Sequence, residues 1–101
     1  MGETKGDIVK RLGLEEKGSV DYSLPQDFVD DVKHYTGIYP IHCMVWFYPE
    51  EGPGKIFGYP YPLTHEGKQI LARYNRLART NYPIPNLGQV EVVIKTIVRK
   101  Y

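Results

Sequence analysis

A single cysteine, Cys43, occurs in the 101 residues. One thiol cannot close an internal disulfide, so packing alone must hold the fold, as in chains of a reducing compartment. Long apolar runs are also missing. The longest, Ile41 to Tyr48, has strand length and falls far short of the roughly 20 residues of a membrane span. The N-terminal stretch has no apolar segment of the secretory kind. Met1-Gly2 lacks the Ser or Thr that a myristoylation signal carries at position 6, where Gly6 stands. These absences set the expectation of a cytoplasmic chain with no membrane contact. Three scattered histidines (His34, His42, His65) and one cysteine do not supply four ligands at zinc spacing. Gly52-Pro53-Gly54-Lys55 lacks the spacing of a phosphate loop. No metal and no cofactor is therefore expected, and no repeat or low-complexity segment is present.

What is present suits one domain spanning residues 1–101. Hydrophobic residues make up 42% of the chain, enough for a core, and charged residues 25%, an ordinary globular share. Net charge is only +1, but it is polarised. Residues 1–31 hold eight acids and four bases, whereas residues 52–101 hold eight bases and two acids. Such asymmetry marks either a nucleic-acid face or two halves that neutralise each other on folding.

The periodicities predict an α+β fold. Thr4 and Asp7 have capping-box spacing before Ile8, Val9 and Leu12, with Gly13 placed to close a short helix. Residues 15–22 read as a polar loop. Ser23, Pro25 and Gln26 form a helix start, followed by Phe28, Val29, Val32 and Tyr35 on one face and closed by Gly37. Ile41 to Tyr48 is apolar on both alternating faces, which predicts a strand covered on both sides. Glu50 to Gly54 turns the chain into a second strand over residues 55–61, whose prolines suit an edge. Thr64 caps a long helix to about Arg79, with Ile70, Leu71, Tyr74, Leu77 and Ala78 as its apolar face. A last alternating strand runs from Gln89 to Tyr101. The expected order is α-α-β-β-α-β: an antiparallel sheet of three or more strands on two or three helices.

Leu63, Thr64, Gly67 and Ile70, following a hairpin, make an L-T-x-x-G-x-x-I pattern. Over residues 41–71 the chain thereby resembles the wing and following helix of winged-helix regulators. In that pattern threonine caps the helix and glycine permits close packing of its first turn. The resemblance implies DNA contact through the helix before the hairpin and through the wing. This chain departs from it at both places. The wing tip carries Glu50 and Glu51, and the preceding helix carries Asp27, Asp30 and Asp31, which repel phosphates.

Two groups of residues remain as candidate sites. Lys68, Arg73, Arg76 and Arg79 on the long helix, with Lys95, Arg99 and Lys100 on the last strand, form a basic face suited to bidentate phosphate contact. Trp46, Tyr48, Tyr59 and Tyr61 ring the hairpin as stacking or interface groups. Bland alternatives accompany each: a solvated helix flank and ordinary core aromatics. His42 and Cys43 are adjacent on an expected strand and so point apart, which leaves no nucleophile–base pair in view. A small enzyme built on Cys43 is the weakest reading. No catalytic residue is expected. The leading expectation is a small non-enzymatic binding protein whose basic helix contacts nucleic acid or an acidic protein surface. The alternative is a protein-interaction module or small complex subunit, including a homodimer, working through the aromatic hairpin without nucleic acid.

Overall fold

Thr4 opens the first helix as its spacing to Asp7 implies. In the computed structural model, which describes residues 4–50 and 57–85, the Thr4 hydroxyl accepts from the Asp7 amide at 3.1 Å and Asp7 Oδ2 accepts from the Thr4 amide at 3.2 Å. This reciprocal cap is worth about 1 kcal/mol. It starts α1 (Lys5–Arg11), which buries Ile8 and Val9. Gly13, at φ 73°, ends it in the left-handed region as expected.

Residues 15–22 do not form the polar loop that their composition suggested. One helical turn, α2 (Leu14–Lys17), runs directly into a strand, β1 (Gly18–Asp21). Only Gly18 and Val20 of β1 turn inward, so the strand shows one apolar side chain and no readable alternation.

Helix α3 spans Gln26–Thr36 and buries Phe28, Val29 and Val32. Its start lies beyond the expected Ser23 cap. Pro25 occupies the cap position without a side-chain bond, and the Ser23 amide instead donates to Asp21 Oδ1. The reason lies in Leu24: a residue before proline is disfavoured in the helical region, so the helix waits until after Pro25. Gly37, at φ 78°, closes it as expected.

Strand β2 (Met44–Pro49) starts later than the apolar run suggested, because residues 41–43 form a turn and Ile41 is exposed. β3 (Tyr59–Pro62) returns antiparallel to it, with Val45 opposite Tyr61 and Phe47 opposite Tyr59. β1 pairs with the other side of β2, Val20 opposite Phe47, giving a sheet ordered β1-β2-β3. The long helix α4 spans His65–Ala78. The α+β class and antiparallel sheet hold, but among the described residues the order is α-α-β-α-β-β-α, with α2 and β1 inserted between the first and second helices of the expected α-α-β-β-α-β. The last expected strand, Gln89 to Tyr101, lies outside the described residues.

Central β2 is covered on both faces, as its two apolar registers require. Val45 and Phe47 join Ile8, Val9, Leu14 and Leu63 on one side. Met44 joins Phe28, Val32, Ile70, Leu71 and Tyr74 on the other. α1 and α2 therefore lie against one face and α3 and α4 against the opposite one. A helix-turn-helix needs two helices joined by a short turn. Between β1 and β2 the chain has only α3, so the hairpin and capped helix of the winged-helix pattern are present without that unit.

Candidate nucleic-acid interface

The helix carrying the basic residues is fixed by the residues just before it. Leu63 is fully buried and its amide donates to Cys43 O at 2.7 Å. Thr64 Oγ1 accepts from the Gly67 amide at 2.8 Å. Gly67 then lies against Cys43 so closely that a Cβ there would stand 2.6 Å from the Cys43 carbonyl oxygen. Leu, Thr and Gly thus lock the first turn of α4 onto the turn preceding β2. With that turn fixed, Gly67, Ile70, Leu71 and Tyr74 face inward. Leu77, expected on the same apolar face, lies at its edge and is 41% exposed.

The opposite face carries the bases. Arg73 and Arg76 are exposed and Lys68 is half-buried. Residues three apart on a helix are about 60° apart around the axis and about 4.5 Å along it, so the two guanidinium groups fan outward over adjacent ground. Arg79 ends α4 as its C-cap, and its amide donates to Asn75 O. It holds φ 58° without being glycine. That conformation costs an L-residue roughly 1–2 kcal/mol. Arg79→Gly should therefore raise stability by about 0.5–1 kcal/mol after the extra chain entropy of glycine is subtracted, read as a higher Tm. An unchanged or lower Tm would show that the cap is relaxed as it stands.

The segment after α4 is strapped back onto the helix. Asn75 Nδ2 donates to Tyr82 O at 3.0 Å, and Asn75 Oδ1 accepts from the Tyr82 amide at 3.1 Å and the Thr80 hydroxyl at 2.8 Å. Tyr82 stacks on Tyr74 and meets Phe28 edge-on. Tyr74 in turn donates to Asp31 Oδ2, a bond that joins α4 to α3. Burial, and then that bond to the carboxylate, raise the Tyr74 pKa above its ordinary value.

Two acids of α3 have uncharged partners. Asp31 is engaged by Tyr74 and Asp30 by Gln26. Among the described residues, no ion pair joins the acids of α3 to Lys68, Arg73, Arg76 or Arg79. Lys95, Arg99 and Lys100 lie outside the described residues.

The aromatic candidates divide between the two sheet faces. Tyr59 and Tyr61 meet the Phe47 ring edge-on at 5.3 and 6.1 Å, on the face away from α4. Burial raises the pKa of both phenols. Trp46 lies on the other face, 5.4 Å from Phe28. Tyr48 is half-buried opposite Ser19. The fold does not bring Tyr59 and Tyr61 onto the same surface as the arginines. The groups that do border the basic face are Gln69, Ala72, Ile38 and Ile84, which line shallow hollows beside α4. Nothing in the sequence pointed to them, because Ile38 and Ile84 reach the helix only through tertiary packing.

Cys43 is buried in the core beside α4, with its thiol 3.4 Å from Pro40 O. Burial, and then the nearby Glu66 carboxylate, push its pKa up to about 12. Lys5 is close enough to oppose that shift, but its own ammonium donates to Ile41 O and its pKa is lowered by burial. His42 reaches Glu66 at 3.5 Å and His34 packs on Tyr35. A thiol reagent at about pH 8 should label the folded protein at least a hundredfold more slowly than the urea-unfolded chain, because the thiolate is the reacting form. Equal rates would contradict the burial. Among the described residues no three His, Cys, Asp or Glu side chains converge as a metal site requires, and no helix is long and apolar enough to cross a membrane. Comparisons with protein-family models, curated proteins and solved structures find no match to this chain.

Proposed function

We propose that this is a small non-enzymatic nucleic-acid-binding protein of a cytoplasm-like compartment, which contacts phosphates through the outer face of α4. One observation carries the reading. Arg73 and Arg76 stand exposed on α4 and Arg79 at its C-cap, and among the described residues they engage no carboxylate, although an acidic helix packs against α4. Guanidinium groups bond phosphate oxygens bidentately, and each neutralised phosphate releases condensed counterions. Lys68, Lys95 and Arg99 belong to the same reading as further phosphate contacts. A protein-interaction module on the hairpin has less support, because Trp46, Tyr59 and Tyr61 pack within the fold and Phe57, 69% exposed, is the hairpin ring left open.

Fluorescence anisotropy of labelled oligonucleotides at low and moderate salt tests the proposal. Affinity should fall with salt. Replacing Arg73 and Arg76 by Ala, with Arg79→Gly to avoid new strain at the cap, should flatten the slope of log K against log salt by about three. Absence of binding at low salt up to about 50 μM protein would overturn it, since even non-specific complexes form in that range.

A further inference from the structure

Two hollows flank the basic face, and they share a side chain. One, of about 300 Å³, lies between the end of α3 and the first half of α4, with Ile38 and Ile70 as apolar lining and Gln69, Glu66 and Arg73 at its edge. The other, of about 370 Å³, lies about a quarter-turn further round α4, with Ala72 and Ile84 as apolar lining and His65, Lys68 and Gln69 beside them. Each is large enough for one planar nucleobase. Each has a cation at its rim, Arg73 for the first and Lys68 for the second. Gln69 stands on the ridge between them, exposed, and its amide offers both a donor and an acceptor.

We infer that the nucleic acid this face takes is single-stranded, laid across α4 so that neighbouring unpaired bases enter the two hollows. The inference rests on the phosphate-binding reading above and names its substrate. Unpaired bases stack on aromatic rings or on Arg guanidinium planes beside a phosphate-binding cation, and the first hollow has Arg73 in its lining and the second has the His65 ring with Lys68. Bases in a duplex are stacked and paired and cannot enter either hollow without being extruded. The two hollows share Gln69 as a wall, so a strand bridging them must pass over that side chain. Glu66 is the carboxylate bordering the first hollow, and it is directed to His42 Nε2 at 3.5 Å.

The test uses labelled single strands and the matching duplex, as DNA and as RNA, against the full chain and two exposed-site variants, Gln69→Ala and Ile38→Ala. Single strands should bind about tenfold or more tightly than duplex, because each accommodated base adds to the phosphate contribution. Each variant should lose roughly fivefold for single strands and leave duplex affinity unchanged. Methyl signals of Ile38, Ile70 and Ile84 should shift on titration with the single strand. Duplex binding as tight as single-strand binding would leave the phosphate reading standing and overturn this inference. Single-strand preference that survives both variants, with unmoved isoleucine methyls, would also overturn it. Failure of every oligonucleotide to bind would remove the phosphate reading itself, and the inference with it.

Discussion

Gly67→Ala should cost roughly 3 kcal/mol, a large share of the total stability of a domain this size. A new Cβ would stand 2.6 Å from Cys43 O and 3.2 Å from Cys43 Cβ. The nearest atom is backbone, so no side-chain rotation relieves the contact. Either the first turn of α4 lifts away or the turn before β2 moves. Both motions stretch the bond from the Leu63 amide to Cys43 O, and both loosen Leu63, which is fully buried. Alanine helps a helix by about 1 kcal/mol relative to glycine, which offsets part of the overpacking cost. Urea unfolding followed by Trp46 fluorescence measures the difference. A neutral or stabilising result would mean that helix propensity wins and that the close approach is not needed.

The capped helix was legible because its signals are local. Thr64 accepts from the amide three residues on, and Gly67 is named by the same short pattern. The alternating run of β2 was legible for a similar reason: Val45 and Phe47 against Met44 and Trp46 are apolar in both registers, and both registers turn out to be covered. Its start was misplaced because Ile41 and Cys43 continue the alternation in sequence while the chain is still turning. The Cys43 side chain consequently packs with Met44 and not with Val45.

For the site, exposure of Arg73 and Arg76 followed from the period of α4, whose apolar stripe leaves them outside. Separation of those bases from Tyr59 and Tyr61 did not follow, because it depends on which sheet face α4 covers. That choice is made by Gly67 against Cys43 and by Tyr74 against Asp31, contacts that span 24 and 43 residues of sequence. The hollows beside Gln69 are less legible still. They arise where Ile38, past the end of α3, and Ile84, held in place by the Asn75–Tyr82 bonds, approach a helix with which they share no pattern.

The strand hidden from composition yields the second large effect: Gly18→Ala should destabilise by about 3 kcal/mol. Gly18 is where α2 passes into β1 with no intervening loop, and it pairs with Pro49 at the end of β2. A Cβ there would collide with the Tyr48 carbonyl oxygen and stand 3.0 Å from the Phe47 ring. The Phe47 ring is also the one that Tyr59 and Tyr61 pack against, so it has little freedom to retreat. The backbone of φ 169° is extended and unstrained, so the effect is one of space alone. Relief requires β1 to peel from β2, which gives up ladder bonds and the contact of Val20 with the core around Ile8 and Phe47. Hydrogen exchange locates the damage. In Gly18→Ala the amides of β1 should lose protection ahead of those of β2 and β3, and the urea midpoint should fall. If β1 keeps its protection and the midpoint moves by less than about 0.5 kcal/mol equivalent, an ordinary surface effect, then β1 does not hold the edge of the sheet and the region after α2 behaves as the polar loop that its composition describes.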